Sequence, residues 1–200
     1  MIRKKSESGF TLIELVVVLG VLAILTATMV PLTINYLDKA RTQRAVKDVA
    51  AIGQAITRFN DDVKEYPIWA SGVATRPADS KYDILKTAAG DEAAVATGVT
   101  FSTTTNAGTL DPQLVTNGVA YPITGVRAWF GPYLETLKAD PWGNKYYVTT
   151  KFLWPTYRSP GSEKAVYVIS AGPNSMIDTN FEQAVTGLTA GGDDVVFRIR

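Results

Sequence analysis

Hydrophobic residues fall along this chain in three regimes. From Phe10 to Val30 nearly every position is apolar; the exceptions are Thr11, Glu14, Gly20, Thr26 and Thr28. At 21 residues the run is long enough to cross the roughly 30 Å hydrocarbon core of a bilayer as a helix. From Thr33 to about Val63 the pattern becomes one-sided. Ala45, Val49, Ile52, Ile56, Phe59 and Val63 recur at alternating four- and three-residue steps, with Arg41, Gln43, Arg44, Lys47, Asp48, Gln54 and Arg58 between them. That spacing draws one apolar stripe along a helix. The two regimes read as one helix from Phe10 to about Asp62, roughly 80 Å long at 1.5 Å per residue. Gly20 and Pro31 interrupt it, and a proline inside a helix removes a hydrogen bond and kinks the axis.

Beyond Tyr66-Pro67, where proline disfavours further helix, the third regime is short and broken. Residues 68–126 are rich in Ala, Gly, Thr and Pro and read as surface, with a short helix at Tyr82–Thr87 and a short strand at Val99–Thr105. A short helix follows Gly131-Pro132-Tyr133-Leu134 as far as Lys138. Asp140-Pro141-Trp142-Gly143-Asn144 is a turn by its chemistry, since Pro141 fixes φ and Gly143 or Asn144 accepts the left-handed region. Three runs rich in Val, Tyr, Ile or Phe, at Lys145–Thr150, Ala165–Ser170 and Val195–Ile199, read as strands. The expected fold class is α+β: a long N-terminal helix whose amphipathic half packs on a small antiparallel sheet, with a long C-terminal loop. Trp142, Tyr146 and Tyr167 are core candidates.

Composition narrows the function. The 200 residues hold no cysteine and no histidine. Disulfides, thiolate nucleophiles, imidazole bases and Cys or His metal sites are therefore all excluded. Lys plus Arg is 20 against 19 for Asp plus Glu, so no nucleic-acid surface is indicated. Carboxylate chemistry and an oxygen-ligated cation remain. Asp193-Asp194 is the one tight acidic pair, and neighbours on a strand point to opposite faces, which is poor geometry for acid/base work. A signal-anchored periplasmic enzyme using carboxylates alone is a remote alternative, and no catalytic residue is assigned.

The N-terminus carries the strongest signal. Arg3, Lys4 and Lys5 precede the apolar run, so the positive-inside rule leaves residues 1–9 in the cytoplasm and the rest beyond the membrane. A signal peptide would have a shorter apolar stretch and a small-residue cleavage site. Glu14 fits neither that reading nor a plain anchor. A carboxylate in a spanning helix costs up to about 2.5–3.5 kcal/mol and calls for a partner.

Gly9-Phe10-Thr11-Leu12-Ile13-Glu14 followed by the apolar run resembles the processing site of type IV pilins and type II secretion pseudopilins. The resemblance implies that a prepilin peptidase cuts between Gly9 and Phe10 on the cytoplasmic side and methylates the new amine of Phe10. Residues 1–9 are then the leader, 10–31 the membrane and filament-core helix, 32–66 its amphipathic continuation and 67–200 the periplasmic domain. Within that domain lie the variable insert at about 68–126 and the sheet region 140–200. A carboxylate at Glu14 would be met by the Phe10 amine of a neighbouring chain, which sets the axial register in a low dielectric. Pro31 matches the family's proline, where the helix between glycine and proline can loosen in a filament.

The segment GPYL…DPWGN is similar to the major pseudopilin of type II secretion rather than to pilins closed by a disulfide. A type IV or competence pilus subunit remains the alternative. The implied role is polymerisation with copies of itself, alongside other pseudopilins and an inner-membrane assembly platform. Ser170-Ala171-Gly172-Pro173-Asn174, Asp178 and Asp193-Asp194-Val195 resemble the family's calcium loop. The implied ligands are Asn174, Asp178, Asp193 and Asp194, and metal binding would order a loop that no disulfide closes. Asn174 stands where Asp is common, Ser175 where Gly is common, and the middle of the loop, Thr179–Ala190, is longer.

Overall fold

The computed structural model describes residues 9–70, 81–154 and 163–200. It divides into two compact units, residues 1–40 and 41–200, and helix α1 (Leu12–Val63) contributes to both. In the first unit α1 is continuous through Gly20 and Pro31, and the large apolar side chains described there are exposed. The helix is long and apolar enough to cross a membrane. Its threonines do not leave polar groups bare: the hydroxyls of Thr26, Thr28 and Thr33 donate to the carbonyls of Leu22 (2.7 Å), Leu25 (3.0 Å) and Met29 (3.0 Å). Internal satisfaction of this kind is what a hydrocarbon environment demands.

The second unit opens with the amphipathic end of α1. Every residue of the expected stripe, Ala45, Val49, Ile52, Ile56, Phe59 and Val63, is buried. They meet a five-stranded sheet in the order β3-β1-β4-β5-β7, built from β1 (Ile84–Lys86), β3 (Ala107–Thr109), β4 (Tyr147–Thr149), β5 (Tyr167–Ser170) and β7 (Val195–Arg198). β4, β5 and β7 fall within the three expected strands. The sheet is mixed, not purely antiparallel, because β1 and β3 run parallel (Leu85 opposite Gly108). The other pairs are antiparallel. A second, two-stranded parallel pairing joins β2 (Ala94–Val95) to β6 (Met176–Ile177). A four-residue helix, α2 (Asp111–Leu114), sits between β3 and β4.

Register explains why the sheet is buried on both faces. Leu85, Val148 and Val168 are cross-strand neighbours facing α1, in a core with Ile56, Phe59, Leu110, Leu114, Tyr121 and Tyr146. Their alternates Ile84, Tyr147 and Ile169, with Tyr167, face the other way into a second core with Phe101, Phe152, Leu153, Ile177 and Phe181. Tyr146 and Tyr167 are therefore both core residues, but of different cores, and Trp142 is half-buried against the first.

Four expectations are corrected here. Tyr82–Thr87 is not a helix: it contains strand β1. Val99–Thr105 is not a strand; the strands of that region are β2 and β3 on either side. Gly131–Lys138 is an irregular, bent segment, not a helix, and begins at a cis Gly131–Pro132 bond. The 68–126 segment is not merely surface. It supplies three strands and buries Ile84, Leu85, Leu110, Leu114 and Tyr121, filling space against α1 and the sheet.

Candidate functional site

Two places carry the family's expected chemistry. At the start of α1, Gly9 has no non-neighbouring atom within 4 Å of where a Cβ would stand, and Phe10 is 85% exposed. Among the described residues nothing packs over Gly9. The first turn of α1 is closed by a capping box. The N–H and hydroxyl of Thr11 donate to Oε2 of Glu14 (3.3 and 3.2 Å), and the Glu14 N–H donates to Thr11 Oγ1 (3.3 Å). Helix N-termini leave N–H groups unpaired, and Thr-x-x-Glu satisfies two of them reciprocally. The role of Thr11 went unread in the sequence, although that four-residue spacing is its signature. Glu14 thus has a partner in its own chain while its side chain stays exposed.

The second place is where the C-terminal loop leaves β5 and returns to β7. Asp194 is buried. Its Oδ2 accepts the N–H groups of Asp178 (2.9 Å) and Thr179 (2.7 Å) and the hydroxyl of Thr179 (2.6 Å). Its Oδ1 is buried with no hydrogen-bond partner. Burial raises the Asp194 pKa above the ordinary carboxylate value, and the three donors only partly offset that. Asn174 donates its amide to Asp178 Oδ2 (2.9 Å) and its backbone N–H to Asp193 Oδ2 (3.0 Å), while its Oδ1 accepts the N–H of Met176 (2.7 Å). The four residues read from the sequence thus meet at one loop junction. Gly192, at φ +48°, is required there: a Cβ would run into the Asp178 carboxylate. Among the described residues, no group of three or more acidic side chains forms a ready-made metal cage. Asp193 and Asp194 accept hydrogen bonds from different donors, Asp193 from Asn174 and Asp194 from Asp178 and Thr179.

A third feature was not anticipated. Asp140 is buried, and its Oδ1 accepts the N–H groups of Trp142 (3.0 Å) and Asn144 (2.8 Å), folding the DPWGN turn around one carboxylate. Its Oδ2 accepts the hydroxyl of Ser170 (2.7 Å), and Ser170 Oγ in turn accepts the Gly172 N–H (3.3 Å). The Asn144 amide donates to Ser175 Oγ (2.9 Å). Of the two left-handed candidates in the turn, Gly143 is the one that takes it, at φ +98°. The turn was legible, but its attachment to a loop thirty residues on was not.

A long helix with an exposed apolar first half, an accessible Gly–Phe junction and a small sheet ending in a long loop define a subunit of the type IV pilin-like class. The prokaryotic N-terminal methylation motif matches residues 4–30, and type II secretion system protein G matches residues 112–187. The type II secretion system core protein G of Escherichia coli K12 is 27% identical over 183 residues, spanning 92% of this chain and 93% of its own. That of Vibrio cholerae is 27% identical over 175 residues, 86% of this chain and 84% of its own. The Aeromonas hydrophila protein is 37% identical over 71 residues, 36% of this chain and 50% of its own. No solved structure matches. Over most of its length the chain is similar to the protein G pseudopilins of type II secretion.

Proposed function

We propose that this chain is the major pseudopilin of a type II secretion system. It is anchored in the bacterial inner membrane by the first half of α1, with its globular unit in the periplasm. Prepilin peptidase removes residues 1–9 and methylates Phe10. The mature chains then polymerise, with the other pseudopilins and the inner-membrane assembly platform, into a periplasmic filament that drives folded proteins outward. The role is structural, not catalytic. The observation that carries this reading is the Gly9–Phe10 junction set before Glu14 and an exposed apolar helix, with similarity to protein G over most of the chain.

Glu14 sets the register. Within one chain Thr11 occupies only one oxygen of its carboxylate, Oε2, and both groups are exposed. In a filament core, away from water, the Phe10 amine of a neighbouring chain supplies the opposite charge. Loosening of α1 between Gly20 and Pro31 on assembly belongs to the same reading. Mass spectrometry of the membrane-extracted protein tests it: a mature start at methylated Phe10 is expected, and an intact Met1 sinks it. Glu14→Ala is expected to insert normally yet fail to assemble. Filaments of normal yield from that variant would remove Glu14 from the mechanism.

The C-terminal loop is proposed to hold calcium. The orphan oxygen of Asp194 belongs to a loop junction that also holds Asn174, Asp178 and Asp193, and side-chain oxygens of this kind suit a hard cation. Bound metal would supply positive charge to a buried carboxylate and so tie the loop to the sheet. EGTA is expected to lower the melting temperature, with recovery on adding Ca²⁺ but not Mg²⁺. An unchanged melting temperature in EGTA rejects the site.

A further inference from the structure

The segment that carries Asn174 and Asp178 lies outside the five-stranded sheet. Between those two residues runs β6, and among the described residues its one strand partner is β2, in the 68–126 insert. The Ala94 N–H donates to the Ser175 carbonyl (3.1 Å) and the Ala96 N–H to the Ile177 carbonyl (3.0 Å). The contact continues past Asp178. The N–H and hydroxyl of Thr100 donate to Asn180 Oδ1 (3.2 and 3.4 Å), and the rings of Phe101 and Phe181 meet edge to face at 5.5 Å, both buried. Residues 94–101 therefore run alongside residues 175–181 and hold them at four points, two on either side of Asp178.

One residue shows why that support is needed. Ser175, next to Asn174, sits at φ +57°, the left-handed region that a residue with a Cβ enters only when its surroundings impose it. Ala94 grips its carbonyl, and the Asn144 amide donates to its hydroxyl (2.9 Å). A two-residue parallel pairing adds little stability by itself. Here it fixes the backbone on both sides of Ile177, whose side chain is fully buried in the second core. The groups that the insert supplies at these points are N–H donors, a hydroxyl already given to Asn180 and a ring. N–H donors cannot ligate a cation, so what they contribute is the placement of oxygens that can. A ligand segment set in advance loses less freedom when it binds, and partners behind the ligands of a metal commonly govern its affinity.

We infer that residues 94–101 of the insert are positioning residues for the cation site: through β6 and Asn180 they preset the Asn174–Asp178 segment and so set its affinity for calcium. The inference rests on the calcium reading above and assigns the insert a part in it. The test uses the full-length chain in detergent. Calcium affinity is measured by competition with a chromophoric chelator, and the melting temperature in EGTA is measured alongside. Ala94→Pro removes the N–H that holds Ser175, at an exposed position. Asn180→Ala removes the acceptor for Thr100, also at an exposed position, so it keeps the question open to experiment if the proline variant fails to fold. Each variant is expected to bind calcium about tenfold or more weakly than wild type, with little change of melting temperature in EGTA.

Wild-type affinity in a folded Asn180→Ala chain would overturn the inference and leave the calcium site standing. So would a melting temperature that falls in EGTA with the affinity unchanged, since that is the mark of a contact that only stabilises the fold. A wild-type chain that binds no calcium would bring down the calcium reading and this inference together.

Discussion

The two halves of α1 use the same backbone for opposite purposes. Before Ala40 its large apolar side chains lie open on every side. After Arg41 the large apolar residues contract, apart from the exposed Val46, to one stripe, and that stripe is buried. In the first half, hydrophobicity is a property of the whole cylinder and is meant for surroundings the single chain does not contain. In the second it is a directional pattern, answered within the chain by Leu85, Val148, Val168 and their neighbours. Helices of equal regularity can therefore differ completely in what a side chain contributes to stability, and the periodicity of the sequence tells them apart.

Substitutions on either side of that boundary put the contrast to the test. Phe59→Ala should do most damage, because the ring is buried and meets Tyr121 and Tyr133 edge to face at 5.0 and 5.5 Å. A loss of about 3–5 kcal/mol is expected from chemical denaturation of the globular unit. A loss under about 1 kcal/mol would mean that the stripe is not the core. Gly53→Ala comes next. Alanine gains helix propensity, but its Cβ would stand inside the ring of Phe197 on β7, so overpacking is expected to win by about 1–2 kcal/mol. A stabilised variant would show that Phe197 yields freely. Leu22→Ala lies at the other extreme. The same denaturation should change by less than about 0.5 kcal/mol, since that side chain is exposed and lies outside the buried stripe. A large shift there would erase the distinction between the halves.

What could be read in the sequence follows the same division. The stripe from Ala45 to Val63 was legible because burial on one side of a helix leaves a 3.6-residue imprint. Strands β4, β5 and β7 were legible because they are rich in β-branched and aromatic residues. β1 was missed for a physical reason. Ile84 and Leu85 point to opposite faces and both are buried, so the alternation that betrays a half-exposed strand is absent. The parallel partner β3, Ala-Gly-Thr, has almost no side chain to signal with. The second core escaped notice for a related reason: Phe101, Phe152 and the pair Ile177 and Phe181 come from three separate segments with no shared period. At the loop, Asn174, Asp178, Asp193 and Asp194 were all named from resemblance. The unequal use of the two Asp194 oxygens is a tertiary fact that no local spacing encodes.

The buried carboxylate of Asp140 has a consequence for how the molecule comes apart. It holds the turn at residues 140–144 by two backbone amides and the start of the C-terminal loop through Ser170, while Asn144 adds a strut to Ser175. Neither segment can open alone without stranding a buried charge or its donors. Turn and loop therefore form one cooperative unit, so that a disturbance at either is felt at both and local fraying near β7 is coupled to a site fifty residues earlier.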